Sequence, residues 1–381
     1  MKKVIEASRA IAIGAKLCRP EVIPMYPITP QTHVVEDLAS MINNGELDCA
    51  MVDVESEHSA ASAMLGVVAT GSRCFTATAS QGLLLMYEIL PIMSGMRFPG
   101  VMAVANRAVS APISIWNDHS DSVSARDQGW IQLWVESSQE ALDAIIQGFL
   151  ISEASNVQLP LMVNFDGFTL SHVFEPVDIP SQAAVDKFLP KFKPVYKLDV
   201  KKPMTFGPIG FPNSFMHFKK QQQDAMINAL KVVKAANSKF AKAFGRSYGD
   251  GLLDLYKMKD ADYAVIGMGT LCGTAKVAID KLRKEGKKVG LIRIRCLRPF
   301  PEKELQNAIK GLKAAAVLDR HISLGQEGPL FTDIRSAIYC NDITINSYIA
   351  GLGGMDITIK HFEKVFKDLE QGKQKGEWLF D

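Results

Sequence analysis

The sequence predicts an α/β protein of two units, each built on a mainly parallel sheet with helices on its faces. Three observations carry this. Short β-rich runs alternate with helical patterns through residues 1–172. A proline-punctuated stretch then interrupts the alternation over residues 173–260, and a second alternating unit fills residues 261–381. The 381 residues suit two or three domains at roughly 150 residues each.

In the first unit, Val22-Ile23-Pro24-Met25-Tyr26 reads as a strand. After Pro27-Ile28-Thr29-Pro30, Val34, Leu38 and Met41 recur at helical spacing. Ala50–Val54 is a second strand, followed by an alanine-rich helix from about Ser59 to Val68. Cys74–Thr78 and Gly100–Ala105 are the next strands, with a helix after Gln81-Gly82 between them. Trp130–Val135, a helical pattern from Ala141 to Glu153 and the strand Leu159–Phe165 complete the unit. Seven prolines between Pro176 and Pro212 mark an extended connector laid over a surface, and Phe215–Phe244 reads as one long polar-rich helix. The second unit has strands near Asp262–Ile266, Val289–Ile294, Ala314–Leu318 and Thr344–Ala350, and helices starting at Gly273, Pro301 and Pro329.

Composition narrows the function classes. Lys+Arg number 43 against 41 Asp+Glu, a net charge of +2, which leaves no electrostatic footprint for nucleic acid or an anionic membrane. Hydrophobic residues make up 47% and charged residues 22%, so the chain is globular and slightly apolar, with room for a large subunit interface. The six cysteines, at 18, 49, 74, 272, 296 and 340, form no CxxC pair, which argues against a zinc ion or iron–sulfur cluster held by this chain alone. The start Met1-Lys2-Lys3-Val4-Ile5-Glu6 lacks the apolar core of a signal peptide, and the apolar run Leu83–Met93 is too short to span a bilayer. The expected location is cytoplasmic.

In open α/β sheets, ligands gather beyond the carboxyl ends of the strands. Thr29 follows the first strand, Glu57 the second and Arg107 the fourth. Thr29-Pro30 is also a good helix start, with Thr as N-cap and Pro at N1. Glu57 precedes the small, apolar Ser59–Met64 segment, so it reads equally as a helix-dipole complement or as a partly buried functional acid. Arg107 closes the apolar run Ala103–Asn106, where a guanidinium suits a carboxylate or phosphate ligand or else a structural ion pair. The loop Asn117-Asp118-His119-Ser120-Asp121 reads as solvated, and no metal is assigned to it.

Two glycine motifs invite cofactor readings. Gly267-Met268-Gly269-Thr270-Leu271-Cys272-Gly273 follows a strand and opens a helix, but its third glycine is one place late for GxGxxG. The next strand ends in Arg293 and Arg295 rather than an acid for a ribose hydroxyl, so a tight turn is the better account than an NADP site. Gly249-Asp250-Gly251 opens like a diphosphate–magnesium motif, yet no Asn occurs between Asn237 and Asn307 to complete the metal shell. It reads as a plain turn.

A set of longer motifs resembles the α subunit of 2-oxoacid:ferredoxin oxidoreductases. Tyr26-Pro27-Ile28-Thr29-Pro30-Gln31-Thr32 and Ser56-Glu57-His58-Ser59-Ala60-Ala61 begin the match. Thr78–Met86, Asn117–Asp121, Arg126–Gln132 and Val163–Phe168 continue it. Phe244–Gly249, Arg293–Pro301 and Val317–Ser323 extend it through the second unit, closest to the pyruvate synthase branch. His321 departs from the acidic or amide residue expected there.

The resemblance implies a thiamine diphosphate enzyme whose active site is split between subunits. The first unit is similar to a thiamine-pyrimidine-binding domain, and the second to the transketolase C-terminal domain. Pro27, Ile28 and Glu57 then belong to the cofactor site, and Glu57 is the acid that activates the aminopyrimidine ring. Thr29 and Arg107 bind the substrate, with Arg107 on its carboxylate. The diphosphate and Mg2+ are expected in a β subunit and [4Fe-4S] clusters in β and a ferredoxin-like δ subunit. A γ subunit, an external ferredoxin and coenzyme A complete the assembly. The implied reaction is oxidative decarboxylation of pyruvate to acetyl-CoA; an aryl, branched-chain or oxalate substrate, a nicotinamide-dependent dehydrogenase and a scaffold subunit are the alternatives.

Overall fold

The computed structural model describes residues 1–374 and 376–380. Its first part runs β1 (Lys2–Glu6), α1 (Ala7–Leu17), β2 (Val22–Met25), α2 (Thr32–Asn43), β3 (Ala50–Asp53), α3 (Glu57–Ala69) and β4 (Phe75–Thr78). It continues with α4 (Ser80–Leu85), α5 (Ile89–Gly95), β5 (Val101–Asn106), α6 (Ser120–Ser124), β6 (Ile131–Trp134), α7 (Ser138–Ser152) and β7 (Leu161–Asp166). The connecting stretch holds β8 (Phe174–Asp178), α8 (Gln182–Phe188), α9 (Pro212–Phe244) and β9 (Leu253–Tyr256). Then come β10 (Tyr263–Gly267), α10 (Leu271–Lys284), β11 (Val289–Ile294), β12 (Cys296–Arg298) and α11 (Glu302–Ala308). β13 (Ala314–Asp319), α12 (Pro329–Ala337), β14 (Thr344–Ala350), α13 (Ile359–Glu370) and β15 (Trp378–Leu379) end the described chain.

The first sheet has the order β12-β6-β7-β5-β4, all parallel except the β12–β6 pair. The parallel pair β2–β3 lies beside β4, joined to it by a bridge between Val22 and Cys74 and by a 2.7 Å bond from Thr76 Oγ1 to the Pro24 carbonyl. Every residue of β5 and β7 is buried, as continuous apolar strands covered on both faces must be. Alternation then sorts their side chains: Val101, Ala103 and Ala105 pack under α1 and α7, while Met102 and Val104 face α3, α4 and α5. The second sheet, β15-β14-β13-β10-β11-β9, is parallel except for β9. The α/β class with two parallel-rich sheets is the predicted one.

Several elements differ from the expectation. The helix after β3 begins at Glu57 rather than Ser59, and the apolar run after Gln81 forms two short helices, α4 and α5. The connector is not only extended chain: β8 pairs antiparallel with β1, and α8 caps through Ser181. β12 leaves the second unit to pair with β6 of the first sheet, Cys296 opposite Leu133. That crossing explains Arg293 and Arg295, which are fully buried. Arg293 Nη2 donates to Glu140 Oε2 at 2.5 Å and Arg295 Nε to Glu140 Oε1 at 2.7 Å. Burial alone would raise the Glu140 carboxyl, but the two guanidinium groups hold it below its usual range. These arginines stitch the units together.

Candidate functional site

The carboxyl ends of β2, β3, β4, β5 and β7 converge, and the sequence-predicted residues sit there. Gly167, just past β7, shows how tight the meeting is. Its N–H donates to the Asn106 carbonyl at 2.9 Å, and a Cβ on it would stand 2.7 Å from Pro30 Cγ.

Glu57 is the first residue of α3, directly after Ser56, whose hydroxyl caps the helix by accepting from Ser59 N–H at 3.2 Å. The side chain is buried, at 7% exposure, and its carboxylate makes no hydrogen bond among the described residues. Across from it, Thr78 Oγ1 at the end of β4 is buried and also lacks a partner. Gly82 on α4 lies between them: a Cβ there would stand 2.6 Å from Thr78 Oγ1 and 2.7 Å from Glu57 Oε1. Only glycine fits this narrow slot without displacing either group.

Arg107, one residue past β5, is also buried. Its Nη1 donates to the Thr29 carbonyl at 2.9 Å and its Nε to the Ser114 carbonyl at 3.1 Å, while Nη2 has no partner among the described residues. The structure thus brings the Thr29 backbone and the Arg107 guanidinium together, and the Thr29 side chain is exposed. No carboxylate pairs with the Arg107 guanidinium among the described residues, unlike the ion-pair reading. Thr29 is not an N-cap either: α2 starts at Thr32, with Gln31 in the cap position. Gln31 spends its side chain on the preceding turn and on the sheet, accepting from Ile28 N–H at 3.2 Å and donating to the Ala77 carbonyl at 3.0 Å. This holds Pro27-Ile28-Thr29-Pro30 against β4 as a loop, with Pro27 exposed and Ile28 half-buried.

The loop read as solvated is instead buried at Asn117, Asp118, His119 and Asp121. Asp121, in that loop, ties the two strand exits together. Its Oδ2 accepts from Ser80 N–H and Arg107 N–H, both at 3.0 Å, and its Oδ1 from Asn106 Nδ2 at 2.8 Å. Burial pushes its carboxyl up to about 6, with the donors opposing only part of that rise. Ser80, at φ +47°, completes the link by donating to the Ala108 carbonyl at 2.7 Å. The signal that finds these residues is spatial, since they lie on separate loops.

The glycine turn after β10 has the shape of an anion cradle, and its anion is Asp166 from β7. Thr270 N–H donates to Asp166 Oδ2 at 2.9 Å, joined by the Thr270 hydroxyl and by Arg320 Nη1 at 2.8 Å; His119 Nε2 lies 2.9 Å from Oδ1. Burial would raise this carboxyl, yet Arg320 and His119 hold it well below the usual range. The cradle is filled, which leaves no place for a dinucleotide phosphate. His321 beside the cluster is pushed down to about 4 by burial, partly opposed by Asp118. Asp250 is a turn residue, its Oδ1 accepting from Leu252 and Leu253 N–H, both at 2.9 Å.

Comparison with known proteins gives the family. Residues 13–238 match the thiamine-diphosphate-binding domain of pyruvate flavodoxin/ferredoxin oxidoreductases, and residues 261–362 match core domain II of pyruvate:ferredoxin oxidoreductase. The chain is 50% identical to pyruvate synthase subunit PorA of Methanocaldococcus jannaschii, over 97% of this chain and 95% of that one. It is 42% identical to ketoisovalerate oxidoreductase subunit VorA of Pyrococcus horikoshii, over 99% and 95%. Its fold is also that of 2-oxoglutarate:ferredoxin oxidoreductase from Magnetococcus marinus, with TM-score 0.76 at 18% identity, covering 96% of this chain and 65% of that one. This chain belongs to the pyruvate flavodoxin/ferredoxin oxidoreductase family, an oxidoreductase family of thiamine diphosphate enzymes.

Proposed function

We propose that this chain is the α subunit of a pyruvate synthase, supplying the pyrimidine half of a thiamine diphosphate site and the clamp for the substrate carboxylate. The carrying observation is the slot between the buried Glu57 carboxylate and Thr78 hydroxyl, neither hydrogen-bonded among the described residues, with Gly82 against both. An aminopyrimidine ring fits this donor set, because it needs an acid at its ring nitrogen and a wall without a side chain. Glu57 is the group for that nitrogen, and Thr78 Oγ1 is a further hydrogen-bonding atom for the ring edge. Pro27 and Ile28, in the loop after β2, are assigned to the same cofactor site.

When bound, the cofactor supplies a carbon nucleophile and a sink for the electron pair released as CO2 leaves. Glu57 holds a proton between its carboxyl and the ring nitrogen, in a buried setting where such a hydrogen bond is strong. Arg107 Nη2 and the second Nη1 hydrogen take the substrate carboxylate, and the Thr29 hydroxyl hydrogen-bonds beside it. The fork is already held by two backbone carbonyls, so little reorganisation accompanies binding.

In this reading the diphosphate, its Mg2+ and the [4Fe-4S] clusters reside in a β subunit and a ferredoxin-like δ subunit, with a γ subunit, ferredoxin and coenzyme A as further partners. The relatives' names support partner subunits, since each is called a subunit. Residues 1–172 form the pyrimidine-type unit, 173–260 the connector and long helix, and 261–381 the second unit. No helix among the described residues is long and apolar enough to cross a membrane; a cytoplasmic location is part of the proposal. The test is a panel of 2-oxo acids with a low-potential dye acceptor on the assembled complex. Pyruvate should give the highest kcat/KM with coenzyme A; a higher value for a branched-chain, aryl or dicarboxylic acid would reassign the substrate.

A further inference from the structure

We infer that the glycine turn Gly351-Leu352-Gly353-Gly354 of the second unit is a positioning element for Arg107, setting substrate affinity from outside the first sheet. The inference rests on the carboxylate clamp proposed above. The turn follows β14, and Gly351, Gly353 and Gly354 have φ of +71°, +58° and +85°. Such a run suits glycine alone.

Its backbone presses on the loop that carries the clamp's support. A Cβ on Gly354 would stand 2.4 Å from Trp116 Cβ and 3.0 Å from its Cγ, and one on Gly353 would stand 3.5 Å from Ser114 Oγ. The loop is closed at its neck by Ala108 N–H donating to the Trp116 carbonyl at 3.0 Å. Beyond the neck it is largely exposed, Ile113 at 77% and Trp116 at 54%. The glycine turn meets it at Trp116 and Ser114, and Phe168 flanks Trp116 at a ring separation of 6.1 Å. Within the loop, the Ser114 carbonyl accepts from Arg107 Nε. A guanidinium is planar, so fixing Nε and Nη1 also aims Nη2. Moving Ser114 turns the fork that receives the carboxylate.

The test uses the assembled holoenzyme with pyruvate. Gly354→Ala should raise KM at least about threefold and leave kcat within about twofold. Exchange of the bound cofactor's C2 proton without pyruvate, which reads the Glu57 slot alone, should match wild type. In an Arg107→Ala background, Gly354→Ala should add nothing to KM, because the turn acts through that side chain. Trp116→Ala, at an exposed position, should reproduce the KM effect by removing the loop's contact and serves if Gly354→Ala does not assemble. An unchanged KM in these variants, or a KM effect that adds in full to Arg107→Ala, would overturn the inference while leaving the clamp intact. An unchanged KM in Arg107→Ala alone would remove the clamp itself, and the inference with it.

Discussion

Replacing Arg107 with alanine separates substrate binding from cofactor chemistry. Two guanidinium nitrogens are engaged by protein carbonyls, Nη1 with Thr29 at 2.9 Å and Nε with Ser114 at 3.1 Å. The partnerless Nη2 and the second Nη1 hydrogen remain for a bidentate carboxylate. Each charge-assisted hydrogen bond contributes about 1.5–3 kcal/mol, so loss of even one raises KM for pyruvate by about tenfold or more. The variant also leaves the Thr29 and Ser114 carbonyls without their donor, which costs roughly 1 kcal/mol of stability each and does not unfold the chain. Arg107→Lys recovers only part of the affinity, since a point charge cannot reproduce the planar fork. Steady-state kinetics on the assembled complex, with dye reduction as readout, measures both variants. Unaltered KM and kcat in Arg107→Ala, or outright unfolding, would refute the reasoning and make the residue structural.

Other positions give independent readings. Gly82→Ala fills the slot between Glu57 and Thr78, so calorimetric affinity for thiamine diphosphate should fall by at least about tenfold; unchanged affinity would exclude the slot as the ring site. Asp166→Asn leaves buried Arg320 without its carboxylate and should cost about 3–5 kcal/mol in denaturant unfolding, whereas an unshifted midpoint would deny the cradle any role in joining the two units. Asp121 gives a pH signature. Its folded pKa, about 6, lies above the usual carboxylate value, so folding takes up a proton at this group and its own contribution to stability is lost as pH rises from about 4 to 6. This contributes up to about 3 kcal/mol across that window. Asp121→Asn removes the contribution, and its stability–pH slope between pH 4 and 6 should be more positive than wild type; parallel slopes would contradict the raised pKa.

The strand ends were legible because apolar runs and helical spacings locate them, and in an α/β sheet the polar residue after each run faces the crevice. The placing of Glu57 and Arg107 at strand ends was readable in that way. The position of Thr29 after β2 was readable but its geometry was not: the local cap signal lost to Gln31, whose side chain ties the loop to β4. The Asn117–Asp121 loop shows the limit most plainly. Polar composition predicts solvent there, yet its partners Asp166 and Arg320 are distant in sequence and carry no local signal. The same holds for β12, three residues too short for an alternation pattern, and for the cradle after β10, whose turn was readable while its occupant was not. Gly82 and Thr78 gain meaning only when Glu57 is placed against them.

The central claim is that Glu57 serves the aminopyrimidine nitrogen in a site completed by a partner subunit. The direct measurement is the rate of C2 proton exchange of bound thiamine diphosphate, followed by NMR in the assembled Glu57→Gln complex without substrate. Loss of a general acid–base group predicts exchange slower by about 10²–10⁴-fold, with the cofactor still bound. Exchange at the wild-type rate would contradict the claim and return Glu57 to a carboxylate that complements the α3 helix dipole.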